Sequence, residues 1–240
     1  MTKRTLTIMQ LYPREMNIYG DYGNLLTLKR RAEWHGYDVE IIAYNAEDTF
    51  PEHVDIIIGG GGQDSGQDKI QKDLQKIGPK LTELAHRGTP MLVICGLYQL
   101  FGKFFKTQDG HVIPGISLLD IETTAGPERL IGNIVTHSEQ FGDIIGYENH
   151  SGQTFLGSGV EPLGTITRGA GNNGQDEYEG ARYKNVVGSY LHGSLLPKNP
   201  AIADWMIERA AINKYGDFTP LSINDQFAHQ ARKDAAKRPR

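Results

Sequence analysis

The sequence predicts an α/β fold with a mainly parallel sheet flanked by helices and a more β-rich second half. In the first 100 residues, short apolar runs alternate with segments whose apolar residues recur every three or four positions, which is typical of strand–helix–strand units. After residue 115 the apolar runs are short, of β type and separated by glycines. In a parallel sheet of this kind, ligands bind at the carboxyl ends of the strands.

The elements follow in chain order. In the first half, the patterns predict strands at 5–11, 39–44, 54–58 and 91–94, a helix at 24–35 and a second helix around 70–84. In the second half, they predict strand-type runs at 115–121, 130–136, 164–167 and 186–191, an exposed loop at 169–180 and a helix at 200–214.

The length and charge of the chain limit the classes of protein that it can be. With 240 residues it is long enough for one large domain, which we expect to span 1–220, followed by a basic, solvated C-terminal tail at 221–240. A net charge of -4 argues against nucleic-acid binding. A single cysteine excludes an internal disulfide framework, and we see no leader or transmembrane segment, so we expect a cytoplasmic protein.

Cys95, the only cysteine, lies at a predicted junction between a strand and a helix. A lone cysteine in an apolar run is more often a small buried core residue. At such a junction, however, the side chain points out of the carboxyl edge of the sheet, and the positive end of the following helix favours a thiolate. Cys95 is therefore a candidate nucleophile.

A cysteine nucleophile needs a base, and His192 has the best setting among the eight histidines. The predicted strand 186–191 stops there, at the same edge of the sheet as Cys95. His150 remains a competitor for this role. Four other histidines lie in polar helical or turn contexts and are expected at the surface: His35, His53, His86 and His229.

A tetrahedral intermediate also needs backbone N–H donors. The amide of Gly96 adjoins the nucleophile, and the glycine loop after the third strand offers the amides of Gly60 and Gly61. These three glycines are the predicted oxyanion hole. Neither glycine-rich phosphate pattern is matched, so no dinucleotide or ATP site is predicted.

Several strings resemble class I (triad) glutamine amidotransferases of the cobyric acid synthase type. IIGGGGQD at 57–64 is similar to their glycine loop, CGLYQ at 95–99 to their nucleophile elbow, ENHSG at 148–152 to a further motif, and YLHG at 190–193 to their histidine segment. LYP at 11–13 and MNIYGDYGNL at 16–25 narrow the resemblance to the glutaminase subunits of lipid II isoglutaminyl synthase. The order and spacing agree along nearly the whole chain.

This resemblance implies a class I glutamine amidotransferase-like (flavodoxin-like) fold and hydrolysis of L-glutamine through a cysteine thioester. It assigns Cys95 as nucleophile, His192 as general base, and Arg129 and Gln99 as substrate ligands. The ammonia would pass to a MurT-type, Mur-ligase-like partner that amidates the D-glutamate of lipid II to D-isoglutamine. ATP and Mg²⁺ are expected on that partner, with no cofactor or metal in this subunit.

Two departures from the family pattern affect the site. Class I enzymes usually carry a glutamate two residues after the histidine, where this chain has Ser194. We expect the third acid to come from the partner, with Glu148 as the candidate within this chain and His150 as a further accessory residue. The elbow also has Val93 and Leu97 where related elbows have glycines, so we expect a differently built turn.

Three alternative functions remain at this point. A corrinoid amidase would need an ATP-binding synthetase domain, for which 240 residues leave no room. A cysteine hydrolase of the DJ-1/PfpI type would share the elbow but leave Arg129 unexplained. A non-catalytic regulatory subunit that binds glutamine would not need both Cys95 and His192.

Overall fold

The chain, described by a computed structural model over residues 3–239, forms two six-stranded sheets with helices around the first. The first half comprises β1 (Thr5–Leu11), α1 (Tyr22–Trp34), β2 (Asp38–Tyr44), β3 (Ile56–Gly59), α2 (Asp64–His86), β4 (Met91–Ile94), α3 (Gly96–Phe101), β5 (Phe104–Lys106) and β6 (Val112–Pro114). The second comprises β7 (Ile121–Ser138), β8 (Gly142–Leu156), β9 (Gly164–Arg168), β10 (Tyr178–Glu179), β11 (Ala181–Tyr183), β12 (Val186–Ser189), α4 (Leu195–Lys198), α5 (Pro200–Tyr215) and α6 (Gln226–Lys237).

The first sheet is the predicted, mainly parallel one. Its strand order is β11-β12-β4-β3-β1-β2, and every pair except β11 with β12 is parallel. Strands β3, β4 and β12 are buried along their whole lengths, as expected for central strands covered by helices on both faces. Strand β2 lies at the edge and is largely exposed, so its apolar run marks an edge strand.

The second sheet arises from the β-rich half of the chain. The long strands β7 and β8 pair antiparallel with a register irregularity between Ala125 and Leu130, and β5, β6, β9 and β10 complete the sheet. The strand predicted at 115–121 is wrong, because β7 begins only at Ile121. Residues 115–119 instead form an irregular segment whose amides donate to carbonyls of residues 100–103. These hydrogen bonds join the end of α3 to the start of the second sheet.

The exposed loop predicted at 169–180 is only partly correct, because the segment is irregular as far as residue 177 but only its middle part is exposed. Asn172, Asn173 and Glu179 are almost fully buried, and the Asn172 side chain both donates to and accepts from the backbone of Gly180. Side-chain amides and carboxylates satisfy the backbone of this glycine-rich segment, so it can be buried without a regular ladder. A polar composition here indicates hydrogen bonding inside the protein.

The C-terminal residues fold back onto the domain. Helix α5 has Pro200 in its first turn and ends at Gly216 with φ 81°, the usual arrangement of proline at the start and glycine at the end of a helix. Residues 226–237, expected as a solvated tail, form α6, which Arg31 anchors through Asp225. The domain boundary at 220 stays a prediction. In the described part of the chain, no helix is both long and apolar enough to span a membrane.

The topology brings four chain segments to one edge of the first sheet. Strands β12, β4, β3 and β1 are neighbours and parallel, so their carboxyl ends lie side by side. His192 follows β12, Cys95 follows β4, the glycine loop follows β3, and residues 12–21 follow β1. This edge is where the sequence places the functional residues.

Candidate active site

Cys95 occupies a strained turn between β4 and α3. Its backbone has φ 50° and ψ -104°, a conformation that costs energy for a residue other than glycine. The Cys95 N–H donates to the Ser189 carbonyl over 2.8 Å, and the Gln99 N–H donates to the Cys95 carbonyl over 2.9 Å. These bonds fix the thiol, which is 7% exposed, at the end of the sheet.

Two glycines on neighbouring strands make room for this turn. A Cβ on Gly59 of β3 would lie 2.2 Å from Leu97 Cδ1, and one on Gly188 of β12 would lie 2.1 Å from a ring carbon of Tyr98. Glycines beside the nucleophile normally permit this close packing. Here the missing side chains belong to the strands on either side of β4, which explains how the elbow accommodates Leu97.

His192 is fully buried, and its ring is held by a carboxylate from the start of α1. Nδ1 of His192 lies 3.2 Å from Oδ1 of Asp21, which is itself 4% exposed. Within residues 3–239, Nε2 of His192 has no hydrogen-bond partner. Asp21 is therefore an acid of this chain beside the histidine, where the sequence had offered only Glu148 as a candidate within the chain.

Cys95 and His192 meet at Gly61. A Cβ on Gly61 would lie 2.8 Å from Cε1 of His192 and 3.2 Å from Cβ of Cys95. Glycine is thus required here because any side chain would occupy the space between nucleophile and base. The structure brings these two predicted residues together.

The charges around His192 favour its protonated form. Burial by itself would lower its pKa, but the Cys95 side chain and then the Asp21 carboxylate outweigh burial and raise the pKa to about 10. These charges favour the imidazolium form of the ring. A cation in contact with a cysteine favours the reactive thiolate.

The three predicted oxyanion glycines have different surroundings. The Gly61 N–H donates to Oδ2 of Asp21 over 2.7 Å, so this amide is engaged by the carboxylate, which corrects the prediction that it serves as a donor to substrate. Gly60 packs against Asp21 and the Met16 carbonyl. Gly96 begins α3, where an N–H has no partner within its own helix, and it packs against Gly62, which lines the same cleft as Cys95.

Arg129 lies across this cleft, which has a volume of about 510 Å³. It extends from the irregular part of β7, and its Nε donates to Oδ1 of Asn149 over 2.6 Å. A second nitrogen donates to the Tyr19 hydroxyl over 3.2 Å. The Tyr19 ring in turn packs edge-on against His192, with centroids 4.9 Å apart. The Tyr19 side chain therefore connects the guanidinium of Arg129 with the His192 ring.

Gln99 lines the same cleft from α3. Its side-chain carbonyl accepts from Gln67 over 2.8 Å, and its amide nitrogen donates to the Tyr190 hydroxyl over 3.1 Å. Gln67 also donates to the Gly96 carbonyl. This network fixes the amide of Gln99 below the elbow.

Glu148 and His150 point from β8 into the interior, where both are buried. The Glu148 carboxylate accepts from the amides of Ala170 at 2.9 Å and Gly171 at 2.8 Å, so it anchors the buried glycine-rich segment. His150 lines the cleft, stacks on the Tyr190 ring and shares a hydrogen bond of 2.6 Å with the Gly152 carbonyl. Burial, followed by the charges of His192 and Arg129, lowers the pKa of His150 to about 3, so its ring is neutral.

One histidine expected at the surface is not there. His35 is 7% exposed, and its ring contacts Asp204 and accepts from the Leu221 N–H. The polar context of helix α1 reflects buried ion pairs with Arg31, which the sequence pattern alone does not distinguish from a solvated face.

Asp21 and Tyr19 are the site residues that the sequence reasoning missed. Both lie in the string NIYGDYGN, which in the sequence supported only the family resemblance and no site residue. Its signal is an acid inside a glycine-flanked turn that directly precedes a helix, since such a turn presents its side chains at the edge of the sheet. Tyr19 and Gly20 both have positive φ values, 55° and 80°.

The chain matches the CobB/CobQ-like glutamine amidotransferase domain over residues 7–200. It is 41% identical over 229 residues to the subunit GatD of lipid II isoglutaminyl synthase (glutamine-hydrolyzing) from Staphylococcus aureus strain N315, covering 95% of this chain and 93% of that protein. Identity to the GatD subunit from Streptococcus pneumoniae strain ATCC BAA-255 / R6 is 39%, with 94% and 88% covered.

Solved structures show the same fold at lower identity. A glutamine amidotransferase crystal structure aligns with a TM-score of 0.61 at 17% identity, covering 85% of this chain and 98% of that one. A glutamine amidotransferase from Thermotoga maritima aligns with a TM-score of 0.56 at 14% identity, covering 96% and 93%. The predicted glutamine amidotransferase-like fold is confirmed. The chain belongs to the CobB/CobQ-like glutamine amidotransferases, and within them to the group of the GatD subunits.

Proposed function

We propose that this glutamine amidotransferase hydrolyses L-glutamine through a thioester on Cys95. The observation that carries the proposal is that the strained Cys95, which lies beside the buried His192, lines the same cleft as Arg129. A free amino acid has a carboxylate for the guanidinium of Arg129 and a carboxamide for the thiol. A cleft of about 510 Å³ accommodates a ligand of that size.

The chemistry needs one proton carrier and one nucleophile. The Cys95 proton resides on His192, and the thiolate of this ion pair attacks the carboxamide carbon of glutamine. Because the pKa of His192 is raised to about 10, the ring already carries the proton that the leaving nitrogen needs. Ammonia departs, water adds to the thioester with His192 as base, and glutamate is released. The amides of Gly96 and Gly60 are the proposed donors to the tetrahedral oxygen.

The ammonia goes, in this proposal, to a MurT-type ligase partner. The similar proteins are named as subunits of lipid II isoglutaminyl synthase, so an acceptor enzyme is part of the proposed complex. The partner would use ATP and Mg²⁺ to activate the α-carboxyl of D-glutamate in lipid II and amidate it to D-isoglutamine. We propose that this subunit needs no cofactor and acts in the cytoplasm, where lipid II is modified.

The two alternative functions are weaker. A DJ-1/PfpI-type hydrolase has no evident use for Arg129 and Asn149 across the cleft. A regulatory subunit that only binds glutamine would not need the strained backbone of Cys95 or the charged His192 beside it. Identity of about two in five residues over nearly the whole chain of the GatD subunits also favours the amidotransferase.

The proposal is tested by measuring ammonia release from glutamine, by the chain alone and with a MurT-type ligase. We expect Cys95→Ala to abolish release in both settings and to prevent labelling by 6-diazo-5-oxo-L-norleucine, a glutamine analogue that alkylates active-site thiols. We expect Arg129→Leu to raise the KM for glutamine at least tenfold, because the substrate carboxylate loses its cation.

The matched control for the second variant is Arg87→Leu, since Arg87 is an exposed arginine that pairs only with Glu83 of its own helix among the described ion pairs. Its KM should equal that of the wild type. Failure of the wild-type chain to release ammonia under both conditions, with Cys95 reduced, would overturn the proposal. Retention of full activity by Cys95→Ala would overturn the thioester.

A further inference from the structure

The Asp21 carboxylate makes two hydrogen-bond contacts at the edge of the first sheet where Cys95 and His192 lie. Oδ1 lies 3.2 Å from Nδ1 of His192, and Oδ2 accepts from the Gly61 N–H over 2.7 Å. Asp21 is 4% exposed, so these contacts are shielded from water. A single buried carboxylate therefore binds the base and the glycine loop at the same time.

Ser194 stands where related enzymes carry their glutamate, and it contacts the turn that holds Asp21. Its Oγ donates to the Gly20 carbonyl over 2.5 Å. Its backbone has φ 41°, which a serine adopts only at an energetic cost. A Cβ on Gly23 would lie 2.1 Å from that Oγ, so the first turn of α1 packs directly onto Ser194. This packing leaves little room for a longer side chain at 194.

A second hydrogen bond ties the same two segments together. The side chain of Asn24, buried in the first turn of α1, accepts from the Leu196 N–H over 2.9 Å. Asn24 and Ser194 thus hold residues 20–24 against the segment that carries His192. The position of Asp21 is determined by these contacts and does not depend on the carboxylate alone.

We propose that Asp21 is the positioning acid of His192, that it replaces the glutamate usually found two residues after the histidine, and that Ser194 and Asn24 hold the turn that carries it. The inference deepens the proposed glutaminase and rests on it. It places the complete set of nucleophile, base and acid within this one chain, where the sequence had led us to expect an acid from the partner.

The physical effect of such an acid is specific. It fixes the orientation of the His192 ring beside Cys95 through Nδ1, and its negative charge favours the imidazolium. Because the same side chain accepts from the Gly61 amide, removal of the whole group would also free the glycine loop beside Cys95. Replacing the acid of a triad by its amide lowers kcat by up to about 10⁴-fold in the best-studied case, where the wrong histidine tautomer results.

The first test compares Asp21→Asn with the wild type, each as the chain alone and in complex with a MurT-type ligase. Asparagine keeps an acceptor for the Gly61 N–H, so the loop contact and the fold should survive. We expect kcat to fall at least a hundredfold, the KM for glutamine to stay within threefold, and Asp21→Glu to restore part of the lost kcat. The control is Asp73→Asn, since Asp73 accepts from Tyr12 and Tyr44 away from the cleft.

The second measurement does not depend on turnover. The ring of His192 is titrated by NMR in chain labelled with ¹⁵N-histidine, and we expect its midpoint to fall in Asp21→Asn because the acid raises that pKa. A purely structural role would not move it. We expect Ser194→Ala to give a smaller loss of kcat, about tenfold, with no change in KM.

The outcomes separate the two proposals. An Asp21→Asn chain with wild-type kcat, or with an unchanged His192 midpoint, would overturn the positioning role even if glutamine is hydrolysed. A wild-type chain that releases no ammonia alone or with the ligase would overturn the proposed function, and a lowered His192 midpoint in Asp21→Asn would still support the positioning contact. Activity of Asp21→Asn that the ligase fully restores would assign the acid to the partner.

Discussion

Three residues with left-handed backbone surround the His192 ring: Tyr19, Cys95 and Ser194, with φ values of 55°, 50° and 41°. Each of these conformations costs energy for a residue with a Cβ, and such residues are known to cluster at functional sites. In each case the strained backbone positions a side chain. The phenol of Tyr19 packs against His192, the thiol of Cys95 lies beside His192, and the hydroxyl of Ser194 contacts Gly20. The strained backbone is therefore concentrated around His192.

Tyr19 gives a prediction that separates binding from chemistry. We expect Tyr19→Phe to raise the KM for glutamine about fivefold, the effect of losing about 1 kcal/mol, because Arg129 loses the hydroxyl that orients it. The ring that packs on His192 is retained, so kcat should stay within twofold. Steady-state kinetics of ammonia release provide the measurement.

Tyr22→Phe is the control for this change, since Tyr22 is a neighbouring and similarly exposed tyrosine at the start of α1. Its KM should match the wild type. A Tyr19→Phe chain whose kcat falls while its KM is unchanged would show that the hydroxyl acts on the base and not on Arg129.

At the residue scale, sequence reasoning placed Cys95 and His192 each at the end of a strand, because an apolar run that stops abruptly marks the edge of a sheet. It could not place Asp21, because the contact with His192 spans 171 residues and depends on β1 being a neighbour of β3. Nor could it show that the Gly61 amide is engaged, since a backbone N–H carries no sequence signal.

At the scale of elements, the close packing of α3 is achieved by its neighbours. Leu97 and Tyr98 fill the spaces left by Gly59 and Gly188 on the two flanking strands. The strands of the first sheet, apart from the short β11, were predicted from their apolar runs, whereas β5, β6, β8 and β10 of the second sheet were not. The strand expected at 115–121 was wrong, and the loop expected at 169–180 is exposed only in part, because backbone-to-backbone and buried side-chain hydrogen bonds hold these segments.

Helix α6 yields a prediction about a single buried arginine. The Arg31 guanidinium, 4% exposed, binds both Asp204 of α5 and Asp225 at the start of α6, each over 2.6 Å. We expect Arg31→Leu to lower the free energy of unfolding by about 3 kcal/mol, because it leaves two partly buried carboxylates without their cation. Urea denaturation measures this change.

The same variant should release α6 from the domain, so limited proteolysis is expected to cleave within 226–237 earlier than in the wild type. Arg87→Leu removes an exposed pair and should change the free energy of unfolding by less than about 0.5 kcal/mol. Equal stability of the two variants would show that α6 is held mainly by other contacts.

At the scale of the whole molecule, stability should depend on pH through His150. Its folded-state pKa is about 3, against 6.5 for an unperturbed histidine, because it is buried and lies near His192 and Arg129. Between these two values the unfolded chain binds a proton that the folded chain does not. This residue therefore makes the protein less stable as the pH falls from 6.5 toward 3, and it has no effect above that window.

We expect His150→Phe, which retains a ring for stacking on Tyr190, to lose less stability than the wild type between pH 6.5 and 4.5. The difference should approach about 1.4 kcal/mol per pH unit, measured by urea denaturation at each pH. His229→Phe replaces an exposed histidine of α6 and should follow the wild-type curve. Parallel curves for all three proteins would contradict the burial of an uncharged His150.

The overall class of the molecule was predictable because strand and helix periods alternate in the first half. The separate second sheet was not, since its long strand β8 has no continuous apolar run and its strands pair in both directions. The two sides of the cleft belong to different sheets. Cys95 follows β4 of the first sheet, and Arg129 extends from β7 of the second.

The relative position of the two sheets therefore sets the span between the guanidinium of Arg129 and the thiol of Cys95. In the proposed function, an amino acid held by its carboxylate at Arg129 would reach Cys95 only if its side chain had the matching length. Asparagine, one methylene shorter than glutamine, would stop short of the sulfur, and a misplacement of about 1 Å costs on the order of a hundredfold in rate. The distance between the two sheets would thus select the substrate by the length of its side chain.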